Sequence, residues 1–190
     1  MDPDIVALRA AFDAAEREAR SLVQGLSEEL GTWRAQPDAW SVAECLDHLA
    51  TANRVYLSAM RPASERALQR ARLRRGPAEP GFIGRLVVRS FEPPVKRYLK
   101  VRAPKKIRPR SGPPLGDAAE AFLASQEEIR AFISRYAGID LAGVTFPNPF
   151  IRGFRFSLAT GLHILAAHER RHLLQAARAK QAALETGAGG

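Results

Sequence analysis

The sequence predicts an all-α protein, a four-helix bundle with one long, basic, proline-rich connection. Three observations support this fold class. Apolar residues recur at helical spacing in four stretches, at about 4–23, 41–75, 117–136 and 157–184. No stretch shows the strict alternation that is typical of a half-buried strand. Eight of the thirteen prolines fall between residues 76 and 115, so this region is expected to connect helices rather than to form one of them.

The first two helices are indicated by their apolar spacing and by one start signal. The inward positions predicted for the first helix are Ile5, Leu8, Ala11, Phe12, Ala15 and Ala19. A short turn at 27–30 follows. Ser41 and Glu44 form the S-x-x-E pattern of a capping box, which predicts that the second helix begins at about residue 41. Its pattern continues to about residue 75.

The long connection, about 76–115, is expected to be an insertion on the surface of a single domain that spans residues 1–190. It contains one short helical candidate, at 82–91. The third helix is predicted to turn Ala121, Phe122, Ile129, Phe132 and Ile133 inward. A loop rich in glycine and proline then leads to the fourth helix, which is predicted to begin near Ser157.

Composition narrows the class of protein. A hydrophobic content of 46% is typical of a folded globular chain. No run of 18 apolar residues is present, so no membrane span is expected. The N-terminus has acidic residues early and no apolar block, unlike a signal peptide. Cys45 is the only cysteine, which rules out an internal disulfide and suits a cytoplasmic protein.

The net charge of +9 comes from one part of the chain. Residues 54–110 contain 17 lysines and arginines against three acids. This basic segment has three interpretations: contact with a polyanion such as nucleic acid or an anionic membrane, binding of an anionic substrate near an active site, or a solvated arginine-rich surface. The few aromatic residues between 61 and 110 (Phe82, Phe91 and Tyr98) and the absence of a nucleic-acid-binding motif argue against nucleic acid as the partner.

The motif HERRH, at residues 168–172, matches the H-E-x-x-H signature of zinc proteases. A protease would need a third ligand downstream, but Gln175 and Arg178 stand where the longer protease motif has glycine and histidine. His168 and His172 nevertheless share one helix face and can bind one divalent cation, or can be buried without a metal. Glu169 lies about 100° from that face, so we expect it to be incidental.

A third histidine and its surroundings carry a family resemblance. His48 lies on the inward stripe of the second helix, one turn after Cys45. Cys45 is expected either to reach the metal or, as the favoured interpretation, to be a core residue. The chain contains two motifs: a tryptophan followed by Ser-Val-x-Glu and then His-Leu, and a late H-x-x-x-H-x-x-Q. Together they resemble the DinB-like (DNA-damage-inducible) metalloenzyme superfamily, of the metal-dependent hydrolase or thiol-transferase type. The matching residues are Trp40, Ser41, Val42, Glu44, His48, Leu49, His168, His172 and Gln175.

This resemblance implies a divalent metal ion (Zn, Ni, Fe or Mn) bound by His48, His168 and His172, with one coordination position left open. It also implies thiol-dependent S-transferase or isomerase chemistry on a small molecule, with a low-molecular-weight thiol such as bacillithiol or mycothiol as cofactor, and a homodimer. Gln175 is expected either to contact the metal site from outside the ligand set or to be an ordinary helix-end amide. The alternative function is a non-catalytic binding or stress-response protein whose basic residues 61–110 contact polyanions.

Overall fold

The computed structural model describes residues 2–93 and 103–187, and it confirms the all-α prediction. In chain order the helices are α1 (Pro3–Val23), α2 (Glu28–Thr32), α3 (Val42–Gln69), α4 (Phe82–Phe91), a short 3-10 turn (Lys105–Ile107), α5 (Leu115–Tyr136) and α6 (Leu158–Glu185). Helices α1 and α3 each pack against both α5 and α6, so the four long helices form a bundle with α1 and α3 at opposite corners.

The second predicted helix ends earlier than its apolar pattern suggests. Helix α3 stops at Gln69 rather than at residue 75. Ala71 adopts a left-handed conformation with φ of +48°, and its amide bonds to the carbonyl of Leu68. The next amide, that of Arg72, bonds back to the carbonyl of Ala67 at 2.9 Å. These two bonds form a Schellman motif, which terminates the helix whatever the periodicity of the residues that follow.

The expectation of no strands is wrong in one place. Strands β1 (Thr145–Pro147) and β2 (Arg155–Ser157) form a small antiparallel hairpin, in which Phe146 pairs with Phe156. Three residues are too few for an alternating pattern to stand out in the sequence. The hairpin leads directly into α6, where the Ser157 hydroxyl accepts a hydrogen bond from the amide of Thr160 at 3.1 Å and caps the helix.

Two apolar clusters fill the bundle, one toward each end. Between them, at the middle of the bundle, four polar side chains are fully buried: Asn53 of α3, Ser125 and Gln126 of α5, and Glu169 of α6. We call these four residues the polar layer. Buried polar groups are costly unless they are hydrogen-bonded, so the polar layer constrains how α3, α5 and α6 meet.

The predicted insertion is fastened to the bundle in its described parts. Helix α4 has the predicted bounds and packs on α6, where Gly84 approaches Thr160 so closely that a Cβ atom at residue 84 would lie 2.4 Å from its hydroxyl oxygen. Arg110 binds Asp47 of α3 through its backbone amide (2.9 Å) and its guanidinium (2.8 Å). The remainder of the basic insertion, with Tyr98, lies outside the described residues. No helix within 2–93 or 103–187 combines the length and the apolar character that a membrane span requires.

Candidate metal centre

Three imidazole rings meet between α3 and α6. His48 comes from α3, and His168 and His172 come from α6, where their four-residue spacing places both rings on the side that faces α3. One nitrogen of each ring lies within 4.8 Å of the others. The Nε2 atoms of His48 and His168 are 3.1 Å apart. All three side chains are buried, with exposed fractions of 1%, 7% and 8%. The structure therefore brings together the three histidines that the sequence analysis selected.

Hydrogen bonds orient two of these rings. His48 Nδ1 lies against the carbonyl of Ile107, which can only accept, so the ring nitrogen is the donor. His172 Nδ1 contacts Oε1 of Gln175 at 3.0 Å, and the amide oxygen again requires a donor. In both rings the proton therefore sits on Nδ1, and Nε2 keeps its lone pair; that of His48 faces Nε2 of His168 at 3.1 Å. A histidine that binds a metal nearly always donates its other ring nitrogen in this way.

The environment keeps the three imidazoles neutral. Burial lowers the pKa of His48, with a further lowering by Arg171, although the carbonyl of Ile107 and the carboxylate of Asp47 oppose the shift. Burial lowers the pKa of His172 to about 3, with further lowering by His48 and Arg171. Burial also lowers the pKa of His168 well below its usual value. Because only the neutral ring offers a lone pair, the cluster is ready to coordinate a cation near neutral pH without first losing a proton.

Two aromatic side chains form walls of the cluster. Trp40 packs just before the start of α3, against the rings of His48 (centroids 4.7 Å apart) and His172 (5.5 Å). Phe91, the last residue of α4, contacts His168 edge to face at 5.8 Å. Nothing in the sequence pointed to Phe91, because its position depends on how the insertion folds back onto α6. These two rings cover faces of the imidazoles that would otherwise meet water.

Glu169 has a different place from the one expected. It is turned away from the histidine cluster, as its helical position predicts, but it is fully buried in the polar layer rather than incidental. Its Oε1 atom accepts hydrogen bonds from Nδ2 of Asn53 (2.8 Å) and from Nε2 of Gln126 (2.6 Å). Burial raises the pKa of its carboxyl group to about 8, although the two amide donors and Arg170 oppose the rise. The second residue of HERRH thus ties α6 to α3 and α5.

Other titratable side chains on α3 and α6 lie outside the cluster. His163 Nε2 contacts the carbonyl of Ala78 at 3.1 Å, away from the other three histidines. Cys45 is fully buried in an apolar cluster, and burial raises the pKa of its thiol far above the usual range. Glu44 completes the capping box with Ser41. Asp47 binds Arg110, and within the described part of the chain it makes no hydrogen bond to His48.

The donor set indicates what the cluster can bind. Three neutral imidazole nitrogens suit zinc, nickel, copper and iron, whereas magnesium and calcium prefer oxygen ligands. Three protein ligands also leave room for a fourth ligand, as in catalytic metal sites. Three buried histidines placed in this way could therefore hold a metal ion, and their chemistry does not distinguish between the candidate transition metals.

Comparison with known proteins agrees with the family resemblance. A family model, described as the DinB superfamily, matches residues 11–176, which include α3, α5 and both histidine-bearing segments. No curated protein and no solved structure matches the chain. Because the family model covers most of its 190 residues, the chain belongs to the DinB superfamily.

Proposed function

We propose that this DinB superfamily member is a divalent-metal-dependent enzyme, with His48, His168 and His172 as the metal ligands. The observation that carries the proposal is the convergence of three buried, neutral imidazoles, two of which have their Nδ1–H groups held by protein oxygens. Zinc, nickel, iron and manganese are the candidate metals. The all-nitrogen donor set favours the first three, since manganese prefers oxygen ligands.

The reaction that we propose is thiol-dependent S-transfer or isomerisation of a small molecule, with a low-molecular-weight thiol as the second cofactor. A bound divalent cation would lower the pKa of a coordinated thiol or water molecule and so supply a nucleophile near neutral pH. The chain contributes the surroundings. Trp40 and Phe91 keep water from the imidazole faces, and the charge of half-buried Arg171 acts on all three histidines. A positive charge at that place favours an anionic thiolate over the neutral thiol.

The basic segment takes part in this site through its described residues. The carbonyl of Ile107 orients His48, Arg110 binds Asp47 next to His48 in the chain, and Glu92 binds Arg170 of α6. These contacts support the interpretation that the insertion completes one wall of the metal centre. The second hypothesis is that residues 61–110 contact polyanions. Its test is salt-dependent binding to DNA and to anionic vesicles, and a lack of binding at about 50 mM salt would remove it.

Metal analysis tests the ligand assignment. Protein purified without an affinity tag should contain about one equivalent of a transition metal by elemental analysis. The His48→Ala/His172→Ala variant should lose it, whereas His163→Ala, which removes an imidazole outside the cluster, should retain it. Full metal content in the double variant would contradict the assignment.

Activity measurements test the reaction class. The metal-loaded protein should consume an electrophilic acceptor in the presence of one member of a panel of low-molecular-weight thiols, and the rate should disappear in the double variant. A homodimer and a cytoplasmic location also belong to this proposal. Light scattering after size-exclusion chromatography measures the first, and cell fractionation measures the second.

A further inference from the structure

A pocket of about 220 Å³ lies at the C-terminal end of α3, between the last turns of this helix and the β1–β2 hairpin. Four arginines surround it: Arg66 and Arg70 of α3, Arg72 just after α3, and Arg155 of β2. Its apolar lining includes two small residues, Ala63 and Ala67. Arg66 is 18 residues beyond His48 on the same helix, which corresponds to about 27 Å at 1.5 Å per residue. The pocket is therefore separate from the histidine cluster.

Two of the four guanidinium groups are held in place by the protein. Arg155 donates from Nη2 to the carbonyl of Thr145 (2.8 Å) and from Nε to the hydroxyl of the same residue (3.2 Å), across the hairpin. Arg72 donates to the carbonyl of Gly143 at 2.9 Å. An arginine that is already oriented loses less conformational freedom when it binds a ligand than a freely moving one does. These contacts prepare both side chains for a partner in the pocket.

The backbone at the end of α3 also contributes to this arrangement. Ala71 is the only non-glycine residue with a positive φ among residues 2–93 and 103–187, a conformation that costs roughly 1 kcal/mol for a residue with a Cβ atom. The left-handed turn sends the chain back over the last turn of α3. Arg72 therefore joins Arg66 and Arg70 at one pocket instead of continuing around the helix axis.

Positive charge exceeds negative charge at this pocket. The side chains of Arg66 and Arg70 have no hydrogen bond or ion pair with any residue in the described part of the chain. The carboxylate of Asp140 contacts one of the four arginines, with its Oδ2 atom 3.7 Å from Nη2 of Arg72. Its Oδ1 atom also accepts a hydrogen bond from the amide of Gly143. Four guanidinium groups against one carboxylate leave an excess of three positive charges. Such an excess in a concave site favours a ligand with two or more negative charges.

We propose that this four-arginine pocket binds the phosphate group of a small phosphorylated molecule. The guanidinium fork pairs with phosphate oxygens through two parallel hydrogen bonds, and several forks around one concavity suit a dianion. The volume accommodates a phosphate group with a few attached atoms, since it is below the range of about 300–1,000 Å³ that is typical of drug-sized ligands. This site is independent of the metal centre and of the reaction proposed for it.

Calorimetric titration of the protein with pyrophosphate and with inorganic phosphate tests the proposal. At about 50 mM salt we expect one site per chain that binds pyrophosphate more tightly than phosphate. The Arg66→Gln/Arg70→Gln variant should weaken binding by about tenfold or more, because each charged hydrogen bond contributes substantially to affinity. This variant breaks no hydrogen bond or ion pair within the described part of the chain, so it should fold normally, as circular dichroism can verify.

The matched control is Arg85→Gln/Arg89→Gln, which removes the same charge from the exposed side of α4 and should leave affinity unchanged. Equal weakening in both variants, or no binding by the unmodified protein at millimolar pyrophosphate, would overturn the proposal. So would binding that disappears when the metal is removed with a chelator, since the ligand would then occupy the histidine cluster. If a DNA duplex binds more tightly than pyrophosphate and both variants weaken it equally, the basic surface serves a polyanion instead.

Discussion

The polar layer at the middle of the bundle makes a quantitative prediction about stability and pH. Glu169 is fully buried, and burial raises the pKa of its carboxyl from 4.5 to about 8. The folded protein therefore holds a proton on this group at pH values where the unfolded chain has released it. An acid whose pKa is higher in the folded state than in the unfolded state contributes stability that is fully present below the unfolded-state pKa. This contribution is lost as the pH rises through the folded-state pKa. Replacing Glu169 with glutamine removes the titration and preserves the shape of the protonated side chain.

The magnitude follows from the two pKa values. Between pH 5 and pH 8 the free energy of unfolding of the unmodified protein should lose roughly 3–4 kcal/mol through Glu169 alone. The Glu169→Gln variant should not show this loss. Its amide oxygen can accept the same two hydrogen bonds that Oε1 of Glu169 accepts, from Asn53 and from Gln126. We expect similar stability for the two proteins at pH 5 and a more stable variant at pH 8.

Urea unfolding between pH 5 and pH 8, with the metal removed by a chelator, measures this difference. The buried histidines titrate in the opposite sense: their lowered pKa values cost stability as the pH falls below 6.5. That contribution is common to both proteins, so it cancels in the comparison. Glu185→Gln, the same change at an exposed position of α6, is the control. Parallel pH profiles for the unmodified protein and Glu169→Gln would refute the reasoning.

Three further changes test other parts of the structure. Gln175→Leu removes the amide oxygen that accepts a hydrogen bond from Nδ1 of His172. Metal affinity, measured by competition with a chelator, should fall about 10- to 100-fold while the fold is kept. Unchanged affinity would contradict the role of Gln175 in orienting His172. Gly161→Ala places a Cβ atom 2.9 Å from the ring of Phe146, so urea unfolding should show a loss of about 1–3 kcal/mol. Ala71→Gly relieves the strain of a positive φ and should raise the melting temperature. The free energy of unfolding should rise by about 1 kcal/mol or less, because glycine also increases the entropy of the unfolded chain. A lower melting temperature would argue against backbone strain at residue 71.

Some features of the metal centre follow from local sequence. The i, i+4 spacing of His168 and His172 places two rings on one helix face whatever the rest of the chain does. The capping box at Ser41 and Glu44 sets where α3 begins, and hence which face His48 occupies. The bounds of α4 were also predictable, because its ten residues carry their own helical pattern. Each of these features depends on residues within a few turns of one another.

Other features depend on segments that are far apart in the chain. The carbonyl of Ile107 orients His48 from 59 residues away, and a backbone carbonyl has no sequence signature. The early end of α3 also escaped prediction, because the Schellman motif uses alanine at Ala71, where glycine is the usual signal. Glu169 was judged by its angle from the ligand face, which says nothing about the amides that it meets on α3 and α5.

The sequence by itself determined that the chain forms a helical bundle, which residues face inward on each helix, and that three histidines lie on inward faces. These are properties of helical periodicity, which a few consecutive residues define. Only the tertiary structure decided that one nitrogen of each imidazole lies within 4.8 Å of the others, that Glu169 closes a buried layer, and that Arg155 joins three arginines of the α3 terminus. Such contacts arise when whole helices pack, and the distances between their side chains depend on the packing of the entire core.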